Sequence, residues 1–330
     1  MILLPDAPDI PGLTFRLFQG EDDYAGMVDV FEASKKADCF DWVITVNDTR
    51  RKFAHIENCD PHRDMIVAEI DGKMIAYSRV WWEQESAGDR IYTFLGLLVP
   101  AWRRKGIGTA MVRYGERRLR EIAAGHPPDV PKYFQRGTVD SEAGLEVLLE
   151  TEGYEPVRYG FHMLRPTSMP LSEAPMPPGL EVRPVREEDV RKVMFAGDEA
   201  FRDHWGHTPL TDDVVQRWME DPTLDSSLWK VAWEDDEPAG AVQNFVDRDE
   251  NEAYGRKRGY TEGIWVRRPW RRRGLARALL TQSIQMFVDM GMEETCLGVD
   301  VQNPSGALRL YESLGYQVER RDKTYRKPLT

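Results

Sequence analysis

The stretch Trp270-Arg271-Arg272-Arg273-Gly274-Leu275-Ala276 stands between an apolar strand pattern, Tyr260 to Val266, and a helix pattern. In that helix pattern Ala276, Leu279, Leu280, Ser283, Ile284 and Phe287 keep the i, i+3, i+4, i+7 spacing of one buried face. A helix N-terminus exposes unpaired N–H groups and the positive end of its dipole, which makes it an anion site. Small residues at Gly274 and Ala276 let the backbone approach a bulky pyrophosphate, and the arginines add charge outside it. The stretch has a twin 168 residues earlier, Trp102-Arg103-Arg104-Lys105-Gly106-Ile107-Gly108, which follows the strand pattern Tyr92 to Val99. No Gly-Lys-Ser/Thr follows either copy, so neither is a Walker loop. The run Gly106-Ile107-Gly108-Thr109-Ala110-Met111 lacks the small third residue of a dinucleotide fingerprint and does not lie on a first βα turn. A solvated basic turn would explain one such stretch, but two in register argue for a phosphate cradle.

Other matches keep nearly the same offset. Pro11-Gly12-Leu13-Thr14-Phe15-Arg16 recurs as Pro178-Gly179-Leu180-Glu181-Val182-Arg183, 167 residues on, and Glu152-Gly153-Tyr154 faces Leu314-Gly315-Tyr316 at 162. One domain is therefore written twice. The proline-rich run from Arg165 to Leu180 cannot carry a long helix or ladder and reads as a linker. The expected division is a first domain over 1–166, a linker over 167–178 and a second domain over 179–330. Each copy reads as strand, helix, strand pair, strand, cradle, helix, strand, short helix and closing strand. Antiparallel strands that give way to βαβ crossovers predict an α/β (α+β) fold, with a mixed, twisted sheet flanked by helices in each domain.

The strand, the R-x-x-G-x-G/A segment, its helix, and the later run Asn303-Pro304-Ser305-Gly306-Ala307-Leu308-Arg309-Leu310-Tyr311-Glu312-Ser313-Leu314-Gly315-Tyr316 resemble the signature of the GNAT family of acyl-CoA-dependent N-acetyltransferases. The two-copy layout is similar to that of mycothiol synthase and other tandem members. The resemblance implies acetyl-CoA as co-substrate and direct transfer of its acetyl group to a primary amine. It implies that backbone groups at Ile264, Trp265 and Val266 pair with the pantetheine arm, with the Val266 N–H facing the developing oxyanion. Arg271, Arg272, Arg273, Gly274, Leu275 and Ala276 would hold the pyrophosphate, Asn303 would bond the pantetheine region, and the Tyr311 hydroxyl would be the general acid. In the first copy the matching cofactor positions are Leu98, Arg103, Arg104, Lys105, Gly106, Ile107 and Gly108.

Each assignment has a plainer counterpart. Tyr311 shares a helical stripe with Ala307, Leu308 and Leu314, so a core tyrosine is its alternative reading, and a turn or cap residue is that of Asn303. Glu262, the acid within Tyr260 to Val266, is a general-base candidate or a solvent-facing carboxylate, and Asp300 is a second candidate. His204 and His207 have metal-pair spacing without further ligands nearby, so no metal site is expected, and their segment is a candidate acceptor wall. Trp81 and Trp82 read as packing residues.

Aligned on their Gly-Tyr pairs, the copies differ where chemistry is expected: Ser141 stands opposite Asn303, Leu149 opposite Tyr311 and Phe94 opposite Glu262. The first domain is therefore expected to be catalytically silent. A non-catalytic acyl-CoA-binding or sensing protein is the alternative function, and protein N-termini or lysines are alternative acceptors.

Composition sets the outer limits. The chain has 330 residues, 41% of them hydrophobic and 30% charged, enough for two packed cores. Up to residue 166 there are 27 acidic and 21 basic residues, and after it 29 and 23, so each half nets −6. A net charge of −12 disfavours nucleic acid and mildly favours an amine acceptor. No apolar run approaches membrane-spanning length, and no secretory signal is read at the start. Cys39, Cys59 and Cys296 form no CxxC and no even set, as expected of reduced thiols in a cytoplasm. Oligomerisation is left open.

Overall fold

The computed structural model describes residues 2–303 and 305–330; Pro304, inside the Asn303 to Tyr316 motif, lies outside the described residues. Two compact units emerge, Met1–Arg158 with Lys323–Thr330, and Tyr159–Asp322.

The first unit begins with β1 (Leu13–Leu17) and the helices α1 (Tyr24–Lys35), α2 (Val46–Ala54) and α3 (Pro61–Asp64). There follow β2 (Met65–Ile70), β3 (Lys73–Gln84), β4 (Arg90–Leu98), α4 (Ile107–Ala124), β5 (Lys132–Val139), α5 (Ala143–Thr151) and β6 (Glu155–Pro166), of which the last leaves for the second unit. Asp71, with φ 49°, and Gly72, with φ 78°, close the β2–β3 hairpin in the left-handed pair that such two-residue turns require. β1 to β4 are antiparallel neighbours, and β4 pairs in parallel with β5 only from Arg90↔Lys132 to Thr93↔Gln135. Beyond Thr93 the two strands part.

The second unit repeats the order. It runs β7 (Glu181–Arg183), α6 (Val190–Phe201), α7 (Asp212–Met219), β8 (Lys230–Glu234), β9 (Glu237–Phe245) and α8 (Arg248–Tyr254). It continues with β10 (Arg258–Val266), α9 (Leu275–Asp289), β11 (Glu294–Asp300), α10 (Ala307–Ser313) and β12 (Gln317–Pro328). β10 pairs in parallel with β11 over three positions, Arg258↔Glu294 to Tyr260↔Cys296, before they too part. Most of the stripe expected on α9 is buried: Leu279, Leu280 and Ile284 pack in one cluster with Leu275, Tyr311 and Leu297, and Ser283 and Phe287 are buried as well, while Ala276 is half-buried. Phe287 sits so close under Gly259 that a Cβ there would come within 2.5 Å of its ring, so glycine is required for this helix to lie on the strand.

The units divide the chain differently from the linear scheme. Beside β11 lies β6, paired antiparallel from Glu294↔Pro166 to Asp300↔Gly160, so residues 159–166 belong to the second unit. In return the chain's end completes the first unit. Tyr325 is fully buried there with Phe94, Phe134 and Tyr154. Lys327 Nζ reaches Glu116 at 2.7 Å, Lys323 Nζ reaches Glu146 at 2.7 Å, and the Leu329 N–H donates to Lys132 O at 2.9 Å. The proline-rich run is irregular, as its composition dictates, but Leu171 and Met176 pack on the second unit's core and Thr167 bonds Met292 O at 2.7 Å. A turn pattern marks such a segment without revealing that the strand before it has already changed partners.

Tyr325→Ala should therefore cost the first unit about 3–5 kcal/mol through loss of a buried aromatic. Truncation after Asp322 should open that unit to limited proteolysis and leave fragments of 159–322 protected; equal protection of both units would contradict the exchange.

Candidate active site

The site in the second unit is built from the way β10 and β11 part. Opposite β9, β10 is regular at Glu262↔Gln243 and again at Trp265↔Ala241, so Gly263 and Ile264 together face one residue. This is a β-bulge. Gly263 has φ 52°, and a Cβ on it would come within 2.2 Å of Gln243 Oε1. The Arg267 N–H donates to Ala239 O at 3.0 Å. Alternation along an antiparallel ladder then turns the backbone of Trp265 toward β9 and that of Val266 into the gap left by β11.

Trp265, a sequence-predicted cofactor contact, is accordingly turned away. Its backbone lies on the β9 side, and its buried ring packs against α6, where a Cβ on Gly197 would lie 2.8 Å from its Nε1. Val266 ends the strand on the side of the gap. Its carbonyl accepts from Arg271 Nε at 2.9 Å, which leaves its N–H as the group facing the gap.

The two cradles match in backbone. Arg104 and Gly106 have φ 62° and 87°, and Arg272 and Gly274 have φ 61° and 85°. Gly106 and Gly274 are the N-caps of α4 and α9, so the first-turn N–H groups have no intrahelical acceptor. The arginines are not all outward-facing charge, however. Arg271 is tied by Val266 O and by Ala200 O at 2.9 Å, as Arg103 is tied by Leu98 O at 2.8 Å and by two bonds to Asp38. Arg273 donates to Pro178 O at 2.8 Å, and Lys105 lies 4.4 Å over the Trp102 ring. Arg272 and Arg104 are exposed and carry no ion pair with the described residues. Leu275 and Ile107 bury their side chains and offer only backbone, and Ala276 and Gly108 keep the first turn slim.

Glu262 points into the gap. The Gly298 N–H of β11 donates to its Oε1 at 2.9 Å. Burial pushes the carboxyl up to about 7, against which the Gly298 hydrogen bond and the neighbouring His162 pull down. His162 lies on β6, opposite Gly298 in register, with its Nε2 3.3 Å from Asp322 Oδ2. Tyr311, 5% exposed, stands with its ring 6.3 Å from Tyr316. Its hydroxyl makes no hydrogen bond with the described residues. Burial raises its pKa, and so does the nearby charge of Glu262.

Asn303 does serve as a turn residue: its Oδ1 accepts from the Ser305 N–H at 2.8 Å, leaving its amide N–H₂ unengaged by described residues. Asp300 lies at the end of β11, where its Oδ1 accepts from the Gln302 N–H at 3.0 Å. His204 approaches the same strand end: burial lowers its pKa, and the charge of Asp300 raises it. His207 instead bonds Asp198 Oδ1 at 2.9 Å, and among the described residues no group of three His, Cys, Asp or Glu gathers to hold a metal ion. None of the three cysteines is joined in a disulfide. Trp82 packs on His126 at 4.4 Å, and Trp81 lies under Arg79 at 4.7 Å.

Sequence reasoning missed Gly298, His162 and the bulge. A glycine inside a strand pattern is a bulge signal, and Gly263 carried it. His162 carried no local signal, because it reaches the site on a strand that precedes the linker.

The first unit presents the contrast. Its β3–β4 ladder runs without a register shift from Ala76↔Leu98 to Gln84↔Arg90. Phe94 is in the core against Tyr154 at 5.9 Å, and Leu149 is fully buried. A cavity of about 410 Å³ nonetheless opens beside its cradle, lined by Leu98, Arg104, Gly106, Gly108 and Arg136 among others. Among the described residues no helix is long and apolar enough to cross a membrane.

The sequence profile of the acetyltransferase (GNAT) family matches residues 28–126 and 192–316, once in each unit. Over 266 residues, 78% of this chain and 80% of the relative, the sequence is 28% identical to the mycothiol acetyltransferase of Salinispora arenicola. The crystal structure of a GCN5-related N-acetyltransferase from Sphaerobacter thermophilus superposes with a TM-score of 0.72 at 25% identity, covering 98% of this chain and 96% of that one. A tandem GNAT protein from the clavulanic acid biosynthesis pathway shares the fold at a TM-score of 0.66 and 12% identity, covering 96% and 99%.

If the bulge depends on the left-handed backbone at Gly263, Gly263→Ala should cost about 1–3 kcal/mol in urea unfolding. An unchanged midpoint and slope would show that the strand does not need it.

Proposed function

The chain belongs to the acetyltransferase (GNAT) family and is an acyltransferase, and from that premise we propose that the second unit moves an acetyl group from acetyl-CoA to a primary amine by direct transfer. The observation that carries the reading is the pairing of two buried titratable groups of opposite role in one gap: Glu262, with its carboxyl raised to about 7, and Tyr311, with a hydroxyl that no described residue engages.

The co-substrate supplies the acetyl thioester. The first-turn N–H groups from Arg271 to Ala276, with the free Arg272, would hold its pyrophosphate. The gap-facing backbone of Ile264 and Val266 and the Asn303 amide would hold its arm. Glu262 takes a proton from the incoming ammonium, directly or through one water, because a carboxylate with a pKa near 7 is half ionised where an amine must lose its proton. The freed amine attacks the acetyl carbon, and the Val266 N–H faces the oxygen on which charge develops. As the carbon–sulfur bond breaks, Tyr311 gives its proton to the departing thiolate and is restored, through water, by the second proton that the attacking nitrogen sheds; its raised pKa keeps it protonated until that moment. No step calls for a covalent enzyme intermediate or for a cysteine.

The acceptor is read as a small amine. The segment carrying His204 and the strand end at Asp300 would form its wall, and the acidic balance of the chain favours a cation. The acceptor used by mycothiol acetyltransferases is the first to test, given the extent of that likeness. The first unit, with Phe94 and Leu149 where the second has Glu262 and Tyr311, is read as catalytically silent and as holding a CoA-like arm through Leu98 and the cradle from Arg103 to Gly108.

Tyr311→Phe should lower kcat roughly 100-fold or more while leaving the KM for acetyl-CoA within about threefold, measured by free-thiol release. Full turnover would remove the acid from the scheme. The wild-type kcat/KM should rise with pH up to about 7, as Glu262 loses its proton, and then level. Glu262→Gln should abolish that rise; an unchanged profile would assign the base elsewhere, with Asp300 next.

A further inference from the structure

The first unit keeps a cleft but sets different charged groups in it. At the register position of Gly298, whose N–H holds Glu262 in the second unit, β5 carries Arg136. At the position of Glu262 stands Phe94, and both Arg136 and Phe94 line the cavity of about 410 Å³. A guanidinium thus stands where the second unit has a strand glycine, and an aromatic ring where it has the carboxyl.

Arg136 is 8% exposed, yet it makes no hydrogen bond with any described residue. Its nearest carboxylate, Glu142 Oε1, is 3.9 Å away, beyond hydrogen-bond reach, and the other oxygen of Glu142 accepts from the Val139 N–H at 3.0 Å. The second acid nearby, Asp38, is occupied by Arg103 through bonds of 2.5 and 2.6 Å. Burial lowers the pKa of Arg136. A buried guanidinium with five donors and no close acceptor is costly unless something fills its fork. The planar fork matches a carboxylate.

We propose that the first unit binds a CoA-type ligand whose acyl end carries a carboxylate, seated on Arg136. This rests on reading the first cradle as a pyrophosphate site, and it adds what the cleft selects at its far end. The cavity is lined by apolar groups such as Phe94, Leu98 and Leu148, by the cradle with Arg104, by Arg136, and by Asp38 and Glu142, whose carboxylates are engaged by Arg103 and by the Val139 N–H. A neutral acetyl end would leave the guanidinium unsatisfied, whereas a carboxylate-ended chain satisfies it. The two units then differ in ligand class, the second handling an amine beside a carboxylate and the first holding an acid beside a cation.

The test is calorimetric titration of the full chain with two stable thioethers, S-ethyl-CoA and S-carboxymethyl-CoA. The expected result is two sites, one of which prefers the carboxymethyl ligand by roughly 10-fold or more, as a charge-assisted bidentate pair should give. Arg136→Met should abolish that preference while leaving S-ethyl-CoA affinity unchanged, and Arg136→Lys should retain part of it. Two sites with no preference in the wild type overturn the proposal without touching the reading of the first cradle, and this comparison depends on no variant folding. A preference that survives Arg136→Met also overturns it. A single site for both ligands removes the first cradle and the proposal together.

Discussion

The structure depends on one constraint: two parallel strands that hydrogen-bond for a few residues and then part. In the second unit β10 and β11 share three positions, after which β10 continues to Val266 with its outward backbone groups unpaired. Buried backbone N–H and C=O groups need partners, so an opened ladder is stable only if something satisfies the exposed edge. The protein satisfies part of it internally, with the Arg271 guanidinium on Val266 O and the Gly298 N–H on Glu262. What remains is a short row of donors and a desolvated carboxyl in a narrow gap that ends at a helix N-terminus. The proposed function draws on that geometry for both the binding of an extended ligand and acid–base chemistry.

Duplication preserves the constraint and lets its chemistry diverge. Both units part the same strand pair, and both cap the following helix with a left-handed glycine after a left-handed arginine. Both use the first arginine of the cradle as a clip on the last strand carbonyl. These are backbone requirements, and they survive in both copies. The residues at matching positions differ: Glu262, Gly298 and Tyr311 in one, Phe94, Arg136 and Leu149 in the other. A bulge at Gly263 accompanies the first set, and a continuous ladder accompanies the second.

The sequence was most legible where a local pattern has one physical meaning. The cradle, the helix stripe from Leu275 to Ile284 and the order of elements all follow from spacing, and the offset near 167 exposes the repeat. The inequality of the halves was legible as well, because aligned positions show Leu149 against Tyr311 directly. What stayed hidden depends on which strands meet. That residues 323–330 finish the first unit while 159–166 enter the second is a matter of partners well over 100 residues apart in the chain, such as Glu294 with Pro166 and Lys323 with Glu146, and no window of sequence holds both. His162 and Arg136 gain their meaning only from such pairings. The side-chain fate of Arg271 and Arg103 was misjudged for a related reason: an arginine beside a phosphate cradle reads as a ligand, but an arginine beside an unpaired carbonyl bonds the nearer group first.

The central claim is that chemistry takes place in the gap between β10 and β11, with the acetyl group held between Glu262 and Tyr311. The most direct measurement is a crystal structure of the full chain with a non-hydrolysable acetyl thioether of CoA. The account predicts pyrophosphate on the N–H groups from Arg271 to Ala276, the sulfur analogue within hydrogen-bond reach of the Tyr311 hydroxyl, and the acetyl oxygen on the Val266 N–H. An arm that enters the second unit but ends away from Tyr311, or a ligand bound in the first unit alone, would contradict it.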